Sequence, residues 1–365
     1  MALSIGIVGL PNVGKSTLFT ALTNQSGLAA NYPFATIEPN VGAVAVPDAR
    51  LEELAAIVHP QRIVPAMVEF VDIAGLVKGA HQGEGLGNQF LSRIRETDAI
   101  VEVVRYFHDQ DVRHVDASVD PHRDVDTINT ELLLADLATL ERALPRLEKA
   151  ARRNREQTSA LEAAARMQDW LNTGHRAHTY PFASATEREQ LYDLHLLTAK
   201  PILYVANVDE DVLTSVLSTQ PEPICEKPPL VISARLEADL AELAAESPDE
   251  ARELLMSMGL RESGLVRLAH EAYKLLGLQS FFTAGPLEVR AWTIAVGVKA
   301  PQAAGVIHSD FEKGFIKAET ASFADFVAYG GEAGLRAAGR LRQEGRDYIV
   351  RDGDVMHFKF SPRQG

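Results

Sequence analysis

Cysteine is nearly absent from the 365 residues, with Cys225 standing alone. A single thiol cannot close an intrachain disulfide, so the fold must be held by its core, and the composition fits a reducing compartment. Cys225 itself reads as a small hydrophobe. No stretch approaches the ~20 consecutive apolar residues that a membrane-spanning helix needs. The N-terminus has no basic n-region, and its apolar run at 3–8 breaks into a glycine loop, so it reads as a strand and not as a secretory leader. Positive charge is also scarce: 36 Lys and Arg against 50 Asp and Glu leave a net −14. That balance excludes a protein that coats nucleic acid indiscriminately. Together these absences point to a cytoplasmic protein, and the length, beyond one typical core, points to two or three domains. The acid excess is uneven, because residues 279–365 carry 11 basic against 10 acidic side chains while the rest carries 25 against 40. The C-terminal part is therefore able to face RNA without the repulsion carried by the remainder.

What is present begins with Gly9-Leu10-Pro11-Asn12-Val13-Gly14-Lys15-Ser16-Thr17. A β-branched apolar run precedes it and the helical spacing of Leu18 and Leu22 follows it, which makes strand, glycine loop, helix. In this arrangement the backbone N–H groups of Asn12, Val13, Gly14 and Thr17 close round phosphate oxygens. Lys15 reaches the β and γ oxygens, Ser16 holds Mg2+, and the helix N-terminus adds partial positive charge.

Two later stretches complete a nucleotide site. Residues 31–40 hold two prolines bracketing a threonine without helical or strand period, an exposed loop in which Thr36 is the second candidate Mg2+ ligand. Residues 65–75 read as an apolar strand ending in Asp72-Ile73-Ala74-Gly75, where the Asp72 carboxylate binds a water of the Mg2+ shell and Gly75 offers an N–H to the γ-phosphate. The next segment, 76–89, carries four glycines and His81 and reads as a switch that orders with nucleotide state. A strand follows at 98–107, then a His- and Asp-rich loop with His108, His114 and His122.

From about 126 to 200 the pattern is helical. Leu133, Leu137, Leu140, Leu144 and Leu147 alternate steps of four and three, an a/d seam. Pro145 inside that seam predicts a kink or a broken helix, and Arg142 to Arg155 form a basic face. Thr186-Glu187-Arg188-Glu189 reads as a capping box opening a last helix through Leu197. Strands resume at 201–210 and 229–234, so the helical block is an insertion into one sheet.

With these motifs in order, the chain resembles the translation-factor class of phosphate-loop GTPases and, within it, the Obg-like ATPases of the YchF subfamily. The resemblance rests on the glycine loop, Phe34-Ala35-Thr36-Ile37-Glu38-Pro39, Asp72-Ile73-Ala74-Gly75-Leu76-Val77-Lys78-Gly79, Asn207-x-x-Glu210, and the tail segments 307–315 and 352–358. It implies an α/β phosphate-loop G domain with a mainly parallel sheet and flanking helices (1–125 with 200–278), an inserted α-helical coiled-coil arm (126–199), and a C-terminal β-grasp TGS module (279–364). It also implies a monomeric, ATP-hydrolysing switch linked to translation or redox control, with the ribosome as partner and RNA contact through arm and tail.

The base pocket departs from the usual guanine pattern Asn-Lys-x-Asp, because Lys is replaced by Val208 and Asp by Glu210. Unpaired base donors cost about 1 to 3 kcal/mol each, enough to erase a guanine preference; the resemblance implies ATP, read by Asn207, Val208, Glu210, Ser233 and Ala234. The position after Gly75 is Leu76, which cannot orient water, so turnover is slow or uses another group. Asn12 stands where related enzymes hold K+ beside the leaving phosphate. His114, which matches a histidine that the resemblance associates with hydrolysis, is the candidate to position water alongside the catalytic Lys15, with His81 as runner-up. A GTPase of ribosome assembly and a non-catalytic nucleotide-gated adaptor are the competing functions.

Overall fold

The computed structural model describes residues 3–25, 40–73, 86–109, 118–154, 158–225 and 227–361. Contacts divide the chain into two units, residues 1–43 with 69–265, and 44–68 with 266–365. The expected division at 126, 200 and 279 is drawn differently here. The helical insertion falls inside the first unit, and 44–68 joins the C-terminal unit.

The first sheet is built on β1 (Ser4–Val8), whose residues Ile5, Ile7 and Val8 are fully buried. A strand apolar on both faces needs cover on both, which is the situation of a parallel sheet. β1 pairs in parallel with β4 (Ala66–Asp72) on one side and β5 (Ala99–Arg105) on the other. β5 continues in parallel to β6 (Ile202–Asn207), and β6 to β7 (Leu230–Ile232). With β2 (Val41–Val46) at the other edge, the order is β2-β4-β1-β5-β6-β7. β5 and β6 are neighbours in space although the whole insertion lies between them in sequence, so the insertion leaves and re-enters one sheet as the sequence predicts.

The insertion holds the helices Pro121–Arg153, Thr158–Asn172 and Ala185–Tyr192. Leu140 is buried with Met167, Leu171, Leu191 and Leu196, and Leu133, Leu137, Leu144 and Leu147 pack against that cluster. The break expected at Pro145 does not occur: one helix runs through it. Pro145 and Glu141, whose carbonyl the proline leaves without its helical donor, are both exposed residues, away from the buried Leu140 of the seam. The capping box is also displaced. Ser184, not Thr186, accepts the Glu187 N–H at 3.1 Å, and Glu187 reaches back to the Ala183 N–H at 2.6 Å. The helix ends at Tyr192 rather than reaching Leu197.

The second unit is a mixed sheet in the order β11-β10-β12-β8-β9-β3. Its strands are β3 (Arg62–Val64), β8 (Leu278–Ala284), β9 (Glu288–Ala295), β10 (Phe315–Ser322), β11 (Arg342–Glu344) and β12 (Asp354–Phe360). Helix Ala300–Ile307 contributes Ala300, Ala303 and Ala304 to a core with Phe281, Ile294, Phe315, Met356 and Phe358. Small residues on the helix let it lie close to the aromatic face. This is the C-terminal β domain of the expected fold. The excursion 44–68 adds β3, parallel to β9, at its edge, and its helix Ala49–Val58 belongs to the same unit.

Candidate functional site

The glycine loop follows the C-terminal end of β1 and runs into helix Lys15–Gln25, as the motif predicts. Leu10 and Val13 are buried anchors, and Asn12 (φ 62°) and Gly14 (φ 96°) adopt left-handed backbone. At Gly14 no side chain fits, because a Cβ would collide with the Asn207 amide. Lys15 is buried, and its ammonium donates to the Leu10 carbonyl at 2.7 Å. Burial lowers its pKa to about 8, opposed by the nearby Asp72 carboxylate. Asp72 is shifted up by the same desolvation, opposed by Lys15. A buried cation whose acceptor is a carbonyl of its own loop is a group prepared for a stronger anion, and the γ- and β-phosphates are such anions. Ser16 and Thr17 are exposed in the first helical turn, and Asp72 ends β4, so the hydroxyl and the carboxylate of the predicted Mg2+ set come from the helix that follows β1 and from the end of its parallel neighbour β4.

The base side is joined to the phosphate side by one residue. Asn207, buried at the end of β6, donates from Nδ2 to the Val13 carbonyl at 2.9 Å and accepts at Oδ1 from the Ala234 N–H at 2.9 Å. Its amide therefore bolts the phosphate loop to the start of helix Ala234–Glu246. Val208 turns away from this line. Its side chain is buried in an apolar cluster with Leu213, Val231, Leu236 and Leu240, and its N–H donates to the Ile232 carbonyl at 2.9 Å. Glu210 is exposed. Ser233 precedes Ala234 with its hydroxyl buried and without a hydrogen-bond partner, an orphan of the kind a bound ligand satisfies. Lys15 offers a buried cation to a phosphate, and Ser233 offers a buried unpartnered hydroxyl beside Ala234.

Thr36, Gly75, Leu76, His81 and His114 lie outside the described residues. The sequence reading missed two buried acids, one that ties the long helix of the insertion to its closing turn and one inside the sheet. Asp136, fully buried on helix Pro121–Arg153, accepts from the N–H groups of Leu197 and Thr198 at 2.7 and 2.8 Å and from the Thr198 hydroxyl at 2.7 Å. Desolvation raises its pKa to about 6 against those bonds. Glu102, in the middle of β5, is buried with both carboxylate oxygens unpartnered. Its pKa is pushed up to about 8, first by desolvation, with Arg176 opposing and Asp124 and Asp126 adding to the rise. Both acids interrupt apolar patterns, the one signal that sequence offered.

Two family models match the chain: one described as a 50S ribosome-binding GTPase over residues 4–136, and the YchF-GTPase C-terminal model, described as a protein of unknown function, over 278–361. Among curated proteins, the Ribosome-binding ATPase YchF of Escherichia coli O157:H7 is 52% identical over 366 residues, spanning 99% of this chain and all of the relative. That of Bacillus subtilis (strain 168) is 49% identical over 371 residues with the same coverage. The solved structure of the Schizosaccharomyces pombe YchF GTPase superposes with a TM-score of 0.86 at 39% identity, covering 98% of this chain and 97% of that one. No described helix is long and apolar enough to cross a membrane.

Proposed function

The chain belongs to the YchF family, and from that membership we propose that it is a Mg2+-dependent ATPase that acts as a nucleotide switch on the ribosome. The relatives' names differ on the nucleotide, ATPase for the bacterial proteins and GTPase for the yeast structure. The observation that carries ATP is Val208. Its side chain is closed into the core and lays no cationic stem along the base. Its N–H is committed to Ile232, which leaves its carbonyl, an acceptor, for the base edge. An acceptor suits the adenine amino group and opposes guanine O6.

In this reading Lys15 holds the β- and γ-phosphates, and Ser16, Thr36 and Asp72 hold Mg2+. The N–H groups of Asn12, Val13, Gly14 and Thr17 cradle the phosphates, and Asn207, Val208, Glu210, Ser233 and Ala234 surround the base. The bound ion would supply neutralisation of charge on the leaving oxygens. Asn12 is the place for K+, and His114, before His81, positions the attacking water. Residues 126–199 serve as an arm and 279–364 as a TGS module through which a monomer contacts ribosomal RNA or protein, with binding that weakens as salt rises.

Turnover of ATP and GTP measured side by side, with and without ribosomes, tests this. ATP hydrolysis stimulated by ribosomes supports it. A hundredfold tighter binding of GTP overturns the nucleotide assignment, and ribosome binding without turnover of either nucleotide leaves the adaptor.

A further inference from the structure

A cavity of about 430 Å³ opens in the first unit where the insertion returns to the sheet. Its floor is apolar, since Met167, Ala177, Leu191 and Leu196 are buried members of one core cluster. Its rim is cationic and aromatic. The Arg188 guanidinium lies 4.9 Å from the centre of the Phe182 ring. Tyr192, 75% exposed, meets the His195 ring at 6.0 Å between centres and 61° between planes. His195 is held in left-handed backbone at φ 47°, its N–H on the Tyr192 carbonyl.

Lys200 completes the wall, its amine bonded to the Arg95 and Thr97 carbonyls and desolvated by burial, which lowers its pKa. Among the described lining residues the carboxylate is Asp98, which already accepts the Ser4 N–H at 2.9 Å. Asp98 and Pro201 immediately precede β5 and β6. The cavity therefore sits at the N-terminal edge of parallel strands whose C-terminal edge carries the phosphate loop, and it shares no residue with the nucleotide site.

We propose that this cavity binds a small organic anion with a flat apolar body, an aromatic carboxylate, sulfonate or phosphate, with its ring on the Leu191 and Leu196 floor and its charge at Arg188 and Lys200. The volume is that of a small-molecule site, apolar within and polar at a few fixed points. Arginine on an aromatic face is weakly hydrated and exchanges water for an anion at low cost. A cationic ligand would meet Arg188 and Lys200 with like charge.

The test uses the full chain titrated with anilinonaphthalene sulfonate and with indole acetate, each under saturating Mg-ATP. Uncharged phenylnaphthylamine serves as the control. One anion should bind per chain without displacement by ATP, and the uncharged control should bind about tenfold more weakly. Arg188→Gln should weaken binding about tenfold. Ala199→Phe, at the exposed end of an otherwise buried 3-10 turn that lines the cavity, should fill it and abolish binding, with the thermal midpoint of Arg188→Gln unchanged. Equal binding by the parent and both variants, displacement by ATP, or no saturable binding of either anion overturns the proposal.

Discussion

The phosphate side and the base side of the nucleotide site are built to different standards of specification. On the phosphate side every residue from Gly9 to Thr17 follows the general motif, and the geometry is dictated locally: two left-handed residues, a glycine where a Cβ would collide with Asn207, and a lysine buried under its own loop. On the proposed base side, Val208 is set by packing with Leu213, Val231, Leu236 and Leu240. Phosphates are common to all nucleotides, so the loop is specified by its own spacing, whereas the conformation at Val208 depends on the apolar core behind the strand end.

Lys15→Ala should have the largest effect on nucleotide binding. Loss of a charge-assisted contact to phosphate from a desolvated site should weaken ATP and GTP alike by tenfold to a hundredfold, about 1.5 to 3 kcal/mol. Calorimetric titration checks it, and a loss confined to one nucleotide would contradict it. Asn207→Ala strikes the bolt between the two sides. Two buried hydrogen bonds disappear and leave the Val13 carbonyl and Ala234 N–H unpaired, so urea denaturation without nucleotide should show about 2 to 4 kcal/mol of destabilisation.

Val208→Lys with Glu210→Asp tests the base side alone. The ratio of GTP to ATP affinity should rise about tenfold, and the buried lysine should lower the thermal midpoint by several degrees. An unchanged ratio would mean that the base is read elsewhere. Glu102→Gln tests a buried group that belongs to neither side. The folded-state pKa near 8 lies above the unfolded value, so the stability tied to the bound proton is complete below about pH 4.5 and is lost as pH rises through 8. The parent should lose thermal stability between about pH 4.5 and 8 more steeply than the variant, which superposing curves would refute.

Sequence made the first unit legible because its signals are local. The strands at β1, β4, β5 and β6 are mostly apolar runs, and the loop and Asp72 carry their own spacing. The second unit was less legible. β3 is three residues long, with two of them exposed, and its partner β9 is more than 200 residues away, so neither period nor turn chemistry marks 44–68 as belonging there. The capping box slipped by two residues because Ser184 and Thr186 offer equivalent hydroxyls. Pro145 misled because a helix rule carries no information about which side faces water. Of the site, the bolt role of Asn207 and the orphan hydroxyl of Ser233 needed three-dimensional neighbours to be seen.

The pairing of β3 with β9 also has a consequence in time. Arg62 bonds Glu288 across 226 residues of sequence, and a chain made at ~5 to 20 residues per second places those residues outside the synthesis machinery roughly 10 to 45 s apart. For that interval helix Ala49–Val58, with Leu51 and Leu54 destined for burial, has no second sheet to belong to. Slow translation of the middle of the message therefore prolongs the exposure of an early segment, and a nascent chain arrested before residue 288 should display protease-sensitive 44–68 beside an already protected phosphate loop.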